Sequence, residues 1–146
     1  MVMPMKNSKE MLSSILKTTQ MGQIGIRTVL DNSMDLRLRR ALESQLREYN
    51  SIESEAHAIA SQRGWELKNL EPAVRFMTDR MNRMKLTGRD TDSRIADMMI
   101  RGNTKGMIRS IKDQHRFAGQ DQQIHILNQK LLDCETAGIL KLKTFL

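Results

Sequence analysis

Between Leu38 and Ile59 seven residues recur in unbroken steps of four and three: Leu38, Leu42, Gln45, Tyr49, Ile52, Ala56 and Ile59. That rhythm places them on one stripe of an α-helix, because positions three and four apart lie on the same face. A helix with such a stripe has to bury it against other helices. Gln45 is the one amide in the series, so the core it enters must contain a polar contact.

The same reading extends along the chain. Asn7 followed by Glu10 is a capping box at a helix start. Leu12, Ile15, Leu16, Thr19, Gly22, Ile26, Val29 and Leu30 then continue one face as far as the turn "DNSMD" at 31–35. The second helix ends at Arg63-Gly64, with Gly64 in the position of a left-handed cap. A fourth segment, from about Ser93 to His115, is expected to turn Ile95, Met98, Gly102, Ile108 and Ile111 inward. After "FAGQD" at 117–121, a last helix presents Ile124, Leu127, Leu131, Cys134, Gly138, Leu142 and Phe145.

Residues 65–92 differ in character. Pro72 belongs in a first helical turn, where its missing amide hydrogen costs nothing, and Phe76, Met77, Met81 and Met84 then share a stripe. An internal similarity brackets this segment: "IRTVLDN" at 26–32 and "IRSIKDQ" at 108–114 share three identical positions. With three residues inserted at the second turn, Leu42, Leu46 and Glu48 align with Leu127, Leu131 and Asp133. The repeated unit is a helical hairpin. A single domain of two hairpins, 7–64 and 93–146, joined by a helical crossover over 65–92, is therefore expected: an all-α four-helix bundle with one long connection.

Composition agrees. Two prolines, five aromatic residues and 12 methionines among 146 residues, with abundant Leu, Ile, Gln, Arg and Lys, favour helix over strand. The lone Cys134 cannot form an internal disulfide, and "MVMPMKNSKEM" has no apolar export signal, so the cytoplasm is the expected compartment. No apolar run is long enough to span a bilayer, and no membrane insertion is expected.

The stretches "QMGQIGIRTVLD", "LESQLREYNSIESEA", "SRIADMMIRGNTKGM" and "LNQKLLDCETAGILKLKTFL" resemble a group of small, uncharacterised bacterial ferritin-like proteins, some of whose relatives are associated with spore coats. The resemblance covers most of the chain and implies the ferritin-like arrangement of the two hairpins. Its motifs are packing patterns more than chemistry.

A ferritin-like carboxylate centre needs an inward Glu from two helices and Glu-x-x-His from the other two. This sequence departs from that pattern. Glu53 and His57 are four apart, and His125 has no Glu three residues before it. Thr19, Gln20 and Gln23 offer no carboxylate, nor do Asn103, Thr104 and Lys105. No metal and no other cofactor are expected. In place of a metal site, Thr19, Gln23, Gln45, Glu48, Thr104 and Glu135 form a candidate core polar network that fixes helix register. Gly22, Gly25, Gly102 and Gly106 beside it imply close backbone approach or a local bulge in the helix. Cys134 is expected as a buried, inert thiol. His57 and His125 are expected on the surface.

The favoured function is a non-enzymatic structural or interaction protein. The ferritin-like resemblance implies two alternatives, a metal-binding or redox protein and a weak, non-specific DNA-binding protectant. Phe76, Met77, Met81 and Met84 form a candidate oligomer or partner surface, with a homodimer favoured. Arg75, Arg80, Arg83, Lys85 and Arg89 form a candidate basic patch beside it. The chain's net charge of +7 attracts polyanions weakly. The scarcity of aromatic residues argues against single-stranded or sequence-specific nucleic-acid recognition and leaves only non-specific charge attraction.

Overall fold

The computed structural model describes residues 5–69, 90–119 and 121–146, and among these the fold is all-α, with four long helices and no strand. Helix α1 spans Ser8–Val29, α2 Leu36–Gln62, α3 Thr91–Arg116 and α4 Gln122–Leu142, followed by a 3-10 turn at Lys143–Phe145. Phe76, Met77, Met81 and Met84, the basic residues Arg75, Arg80, Arg83, Lys85 and Arg89, and Pro72 lie outside the described residues.

Local chemistry sets the helix ends. Asn7 accepts the Glu10 amide hydrogen at 2.9 Å and donates to the Glu10 carboxylate at 3.2 Å. The two residues satisfy one another at the start of α1. Helix α2 opens on Asp35, which accepts from the Arg37 amide at 2.7 Å. It closes on Gly64 at φ +66°, where Trp65 N–H reaches Ala60 C=O at 2.9 Å and Gly64 N–H reaches Ser61 C=O at 3.3 Å. That pair of bonds is a Schellman motif, and the left-handed turn it needs is least strained at glycine.

The helices form a ring in the order α1, α2, α4, α3, with the most extensive packing between α3 and α4 and between α1 and α2. Helix α3 starts beside the α1–α2 turn, where the Asp35 amide donates to Asp92 at 3.1 Å. It finishes beside the start of α1, where Lys6 pairs with Phe117 through Lys6 N–H to Arg116 C=O at 2.6 Å and Ala118 N–H to Lys6 C=O at 2.9 Å. Helix α4 starts at that same end, where Arg63 grips Asp121 through two nitrogens and lies over the Trp65 ring at 5.1 Å. Helices α2 and α3 therefore run in the same direction, and every pair of ring neighbours is antiparallel.

The core is apolar along most of its length: Met11, Leu12, Ile15, Leu16, Ile26 and Val29 from α1, the α2 stripe, and Ile124, Leu127, Leu131 and Leu142 from α4. Helix α3 departs from expectation. Ile95, Ala96 and Met99 enter the apolar core, with Met98 and Ile100 partly buried against it; farther along, its buried positions are Asn103, Ser110 and Asp113. Ile108 and Ile111, expected inside, are 45% and 37% exposed. The inward stripe of α3 runs 99, 103, 106, 110, 113, a regular helical series that leaves both isoleucines on other faces.

The similar heptapeptides consequently occupy different environments. Ile26 is buried where Ile108 is exposed, and Asp31 is exposed where Asp113 is buried. Replacing Asn7 or Gly64 with alanine removes a cap or strains a left-handed residue, and each change should lower stability by about 1 kcal/mol. Urea unfolding followed by far-UV circular dichroism checks both.

Candidate functional site

Two regions concentrate polar chemistry: a layer inside the bundle and a cleft on its outside. In the interior layer, Gln45 and Tyr49 lie one turn apart on α2 and both reach Asn103 of α3. Gln45 Nε2 donates to Asn103 Oδ1 at 3.0 Å and to the Tyr49 hydroxyl at 3.4 Å, and the Tyr49 hydroxyl donates to the same Oδ1 at 3.2 Å. All three side chains are buried. Gly138 of α4 makes room for them, since a Cβ there would lie 2.6 Å from Gln45 Nε2 and 2.7 Å from Asn103 Nδ2. Gly22 of α1 does the same for Tyr49, whose ring would be 2.5 Å from a Cβ.

Glu135 lies one turn before Gly138 and presses its carboxyl against Gly106 of α3. It is 1% exposed, and neither oxygen has a hydrogen-bond partner. Burial pushes its pKa up to about 8, so the group is mostly an uncharged acid at neutral pH. Burial first, and then the nearby Glu135, push the Tyr49 phenol far above its ordinary value. The free Cys134 thiol is raised by burial and then by Glu48.

The expected polar network is redistributed. Gln45 lies in the hydrogen-bonded cluster, while Glu135 and Gln23 are buried beside unpartnered polar atoms of their own. Thr19 is buried but donates to its own helix, to Ile15 C=O at 2.7 Å. Thr104 is half-buried and likewise bonds back to Ile100 C=O at 2.7 Å. Glu48 is exposed, at the rim of a cleft of only about 10 Å³ that also touches Gln45, Cys134 and Gly138. Asn103 takes the place expected of Thr104, one residue along and about 100° around the helix. The four-residue step from Met99 to Asn103 was its sequence signal. Gly22 and Gly106 provide close approach, whereas Gly102 faces open space and Gly25 makes only ordinary contact.

His57 and His125 are exposed, and Glu53 accepts from Gln20 at 3.0 Å. Among the described residues no group of three His, Cys, Asp or Glu side chains is arranged to hold a metal ion. No helix among them is long and apolar enough to cross a membrane.

The external cleft lies between α1 and α3. Two adjoining hollows of about 340 and 310 Å³ share Lys6 and Arg109. Lys105, Lys112 and Arg116 line the α3 side; Lys9, Glu10, Ser13 and Lys17 line the α1 side, with the Glu10 carboxylate accepting from Asn7. Its floor is built on Asp113, 3% exposed, which accepts from the Ser14 hydroxyl and pairs with Lys6 at 2.8 Å. The sequence reading placed its basic patch in the crossover and missed this one, although its α3 row of Lys105, Arg109, Lys112 and Arg116 follows in helical steps; only its α1 half, with Lys9 and Lys17, is distant in the chain.

No family model, curated protein or solved structure matches the chain.

The raised pKa of Glu135 fixes the sign of a pH effect. Between its ordinary value near 4.5 and about 8, the folded protein holds a proton that the unfolded chain has released. Stability therefore falls as pH rises through that window, by on the order of 3–5 kcal/mol. Urea midpoints should drop accordingly, and Glu135→Gln should remove most of the dependence.

Proposed function

We propose that the chain is a non-enzymatic structural or interaction protein that uses the ferritin-like arrangement of helices without a di-iron carboxylate centre. One observation carries this reading: at the level where a ferritin-like bundle would gather its carboxylates, the interior presents two amides, a phenol and a single carboxyl group. A pair of hard cations requires several carboxylate oxygens at one level. One carboxyl against a glycine is not such a set. The small cleft beside Gln45 and Gly138 has space for no more than a single water molecule. Two equally directed diagonal helices, α2 and α3, and antiparallel ring neighbours support the ferritin-like comparison.

The chain acts, in this reading, through its outer surfaces. The stripe Phe76, Met77, Met81 and Met84 is the proposed contact with a second copy, because isologous pairing would cover the same apolar patch on both subunits. The cytoplasm is the proposed setting.

Two measurements test the proposal. After incubation with ferrous iron and desalting, metal analysis should find iron well below one ion per chain, with no change in the Glu48→Ala/Glu135→Ala variant. Stoichiometric iron that disappears in that variant would overturn the reading. By light scattering the protein should be a dimer, and Met77→Glu/Met81→Glu should give a monomer with its helicity retained. A monomeric parent, or a variant that unfolds, would place the stripe in the intrachain core.

A further inference from the structure

We propose that the cleft between α1 and α3 binds a linear, base-free phosphate chain, of which inorganic polyphosphate is the simplest example. Five of its cations, Lys9, Lys17, Lys105, Arg109 and Lys112, have no carboxylate partner among the described residues. On α3 they follow at steps of four and three, so like charges sit at the separations where helix side chains repel one another. A polyanion in the cleft converts that repulsion into attraction and releases its own condensed counterions.

The form of the cleft limits what that polyanion can be. From Lys105 to Arg116 the α3 row is about 16 Å long, and the α1 row from Lys9 to Lys17 about 12 Å, at 1.5 Å per residue. Both hollows are open clefts that share Lys6 and Arg109, which fits an extended chain better than one enclosed phosphate. A nucleic-acid duplex meets such an open cleft only along one of its phosphate strands, whereas a single phosphate chain engages both rows at once.

Other extended partners need features the cleft lacks. Among the described residues Ile108 is its one apolar lining residue, whereas protein interfaces are anchored by aromatic and large apolar side chains at their centre. A membrane-surface helix likewise needs a continuous apolar face. Single-stranded nucleic acid is held largely by stacking on aromatic rings, and none of the described residues lining these hollows carries one. A phosphate chain requires only cations and hydrogen-bond donors. The floor supplies rigidity: the Lys6–Asp113 pair, the Ser14 hydroxyl and the Lys6–Phe117 backbone pairing hold the α1 entrance to the end of α3.

The test is titration of the full chain with short-chain inorganic polyphosphate over a salt series, read by calorimetry. Binding is expected at low salt, with log K falling by about 0.7 per log unit of salt for each phosphate contact. Lys9→Gln/Lys17→Gln and Lys105→Gln/Arg109→Gln/Lys112→Gln should each weaken binding about tenfold or more and flatten the salt slope by about 0.7 unit per cation removed. Arg40→Gln/Arg47→Gln removes two exposed charges from α2 and should leave affinity unchanged. Circular dichroism confirms that each variant is folded.

Absence of binding at low salt overturns the proposal. So does equal weakening in the α2 variant, which would show attraction to bulk charge alone. Orthophosphate binding as tightly as the polymer would mean that the two rows do not act together. Poly-glutamate or duplex DNA binding as tightly, with the same sensitivity to the cleft variants, would assign the cleft to a different occupant.

Discussion

The arrangement of this bundle depends on a hydrogen-bonded contact across its diagonal. Ring neighbours can pack by apolar stripes, and such stripes tolerate sliding by a turn because one leucine replaces another. Asn103 removes that freedom between α2 and α3. Its carbonyl oxygen receives both the Gln45 amide and the Tyr49 hydroxyl, from side chains one turn apart. Shifting either helix by a turn would bury those donors and the acceptor without partners, at about 1–3 kcal/mol each. The contact exists only because Gly138 and Gly22 let the amides and the phenol into the middle of the bundle. Register, glycine placement and the one polar residue of the α2 stripe are thus a single constraint.

How far this could be read from the sequence differs by helix. Helix α2 was legible throughout: its four-three rhythm coincides with its buried residues Leu38, Leu42, Gln45, Tyr49, Ile52, Ala56 and Ile59, and its caps lie at Asp35 and Gly64. Helix α3 was legible in existence and extent, starting at Thr91 where Ser93 was expected, but its facing was misread. The reason is physical. Over its second half small and polar residues point inward and isoleucines outward, so the hydrophobic pattern reports the wrong face. Isolated isoleucines on a surface are tolerated, since much of any protein surface is apolar. The polar interior is satisfied only in part, through the Asn103 carbonyl and the Ser14–Asp113 contact, while Asn103 Nδ2 and Ser110 Oγ have no partner among the described residues, and sequence does not display that geometry.

The charged surface shows a similar limit. Local counting found a surplus of cations in the crossover, where they are adjacent in sequence. The α1–α3 cleft has a local row on α3, Lys105 to Arg116, which reads as an ordinary solvated helix face until the fold sets Lys9 and Lys17, about a hundred positions away, beside it. Its organising residue, Asp113, belongs to the repeated heptapeptide. In the first copy the equivalent Asp31 is exposed beside a turn; in the second, Asp113 is buried under Lys6. An aspartate can take either role, and what decides is whether a cation can reach it.

That distinction also separates the two buried carboxyls. Asp113 is near the end of α3, where the segment before α1 delivers an ammonium and Ser14 a hydroxyl, so charge is compensated on the spot. Glu135 is in the middle of α4, with Gly106 on one side and amides nearby, and no cation is bonded to it. Leaving it ionised there would require full desolvation of a charge without a partner, which is far more expensive than holding the proton. A neutral acid beside neutral amides is the consistent solution. The interior is arranged around the absence of net charge, while uncompensated charge is carried on the outer faces of α1 and α3.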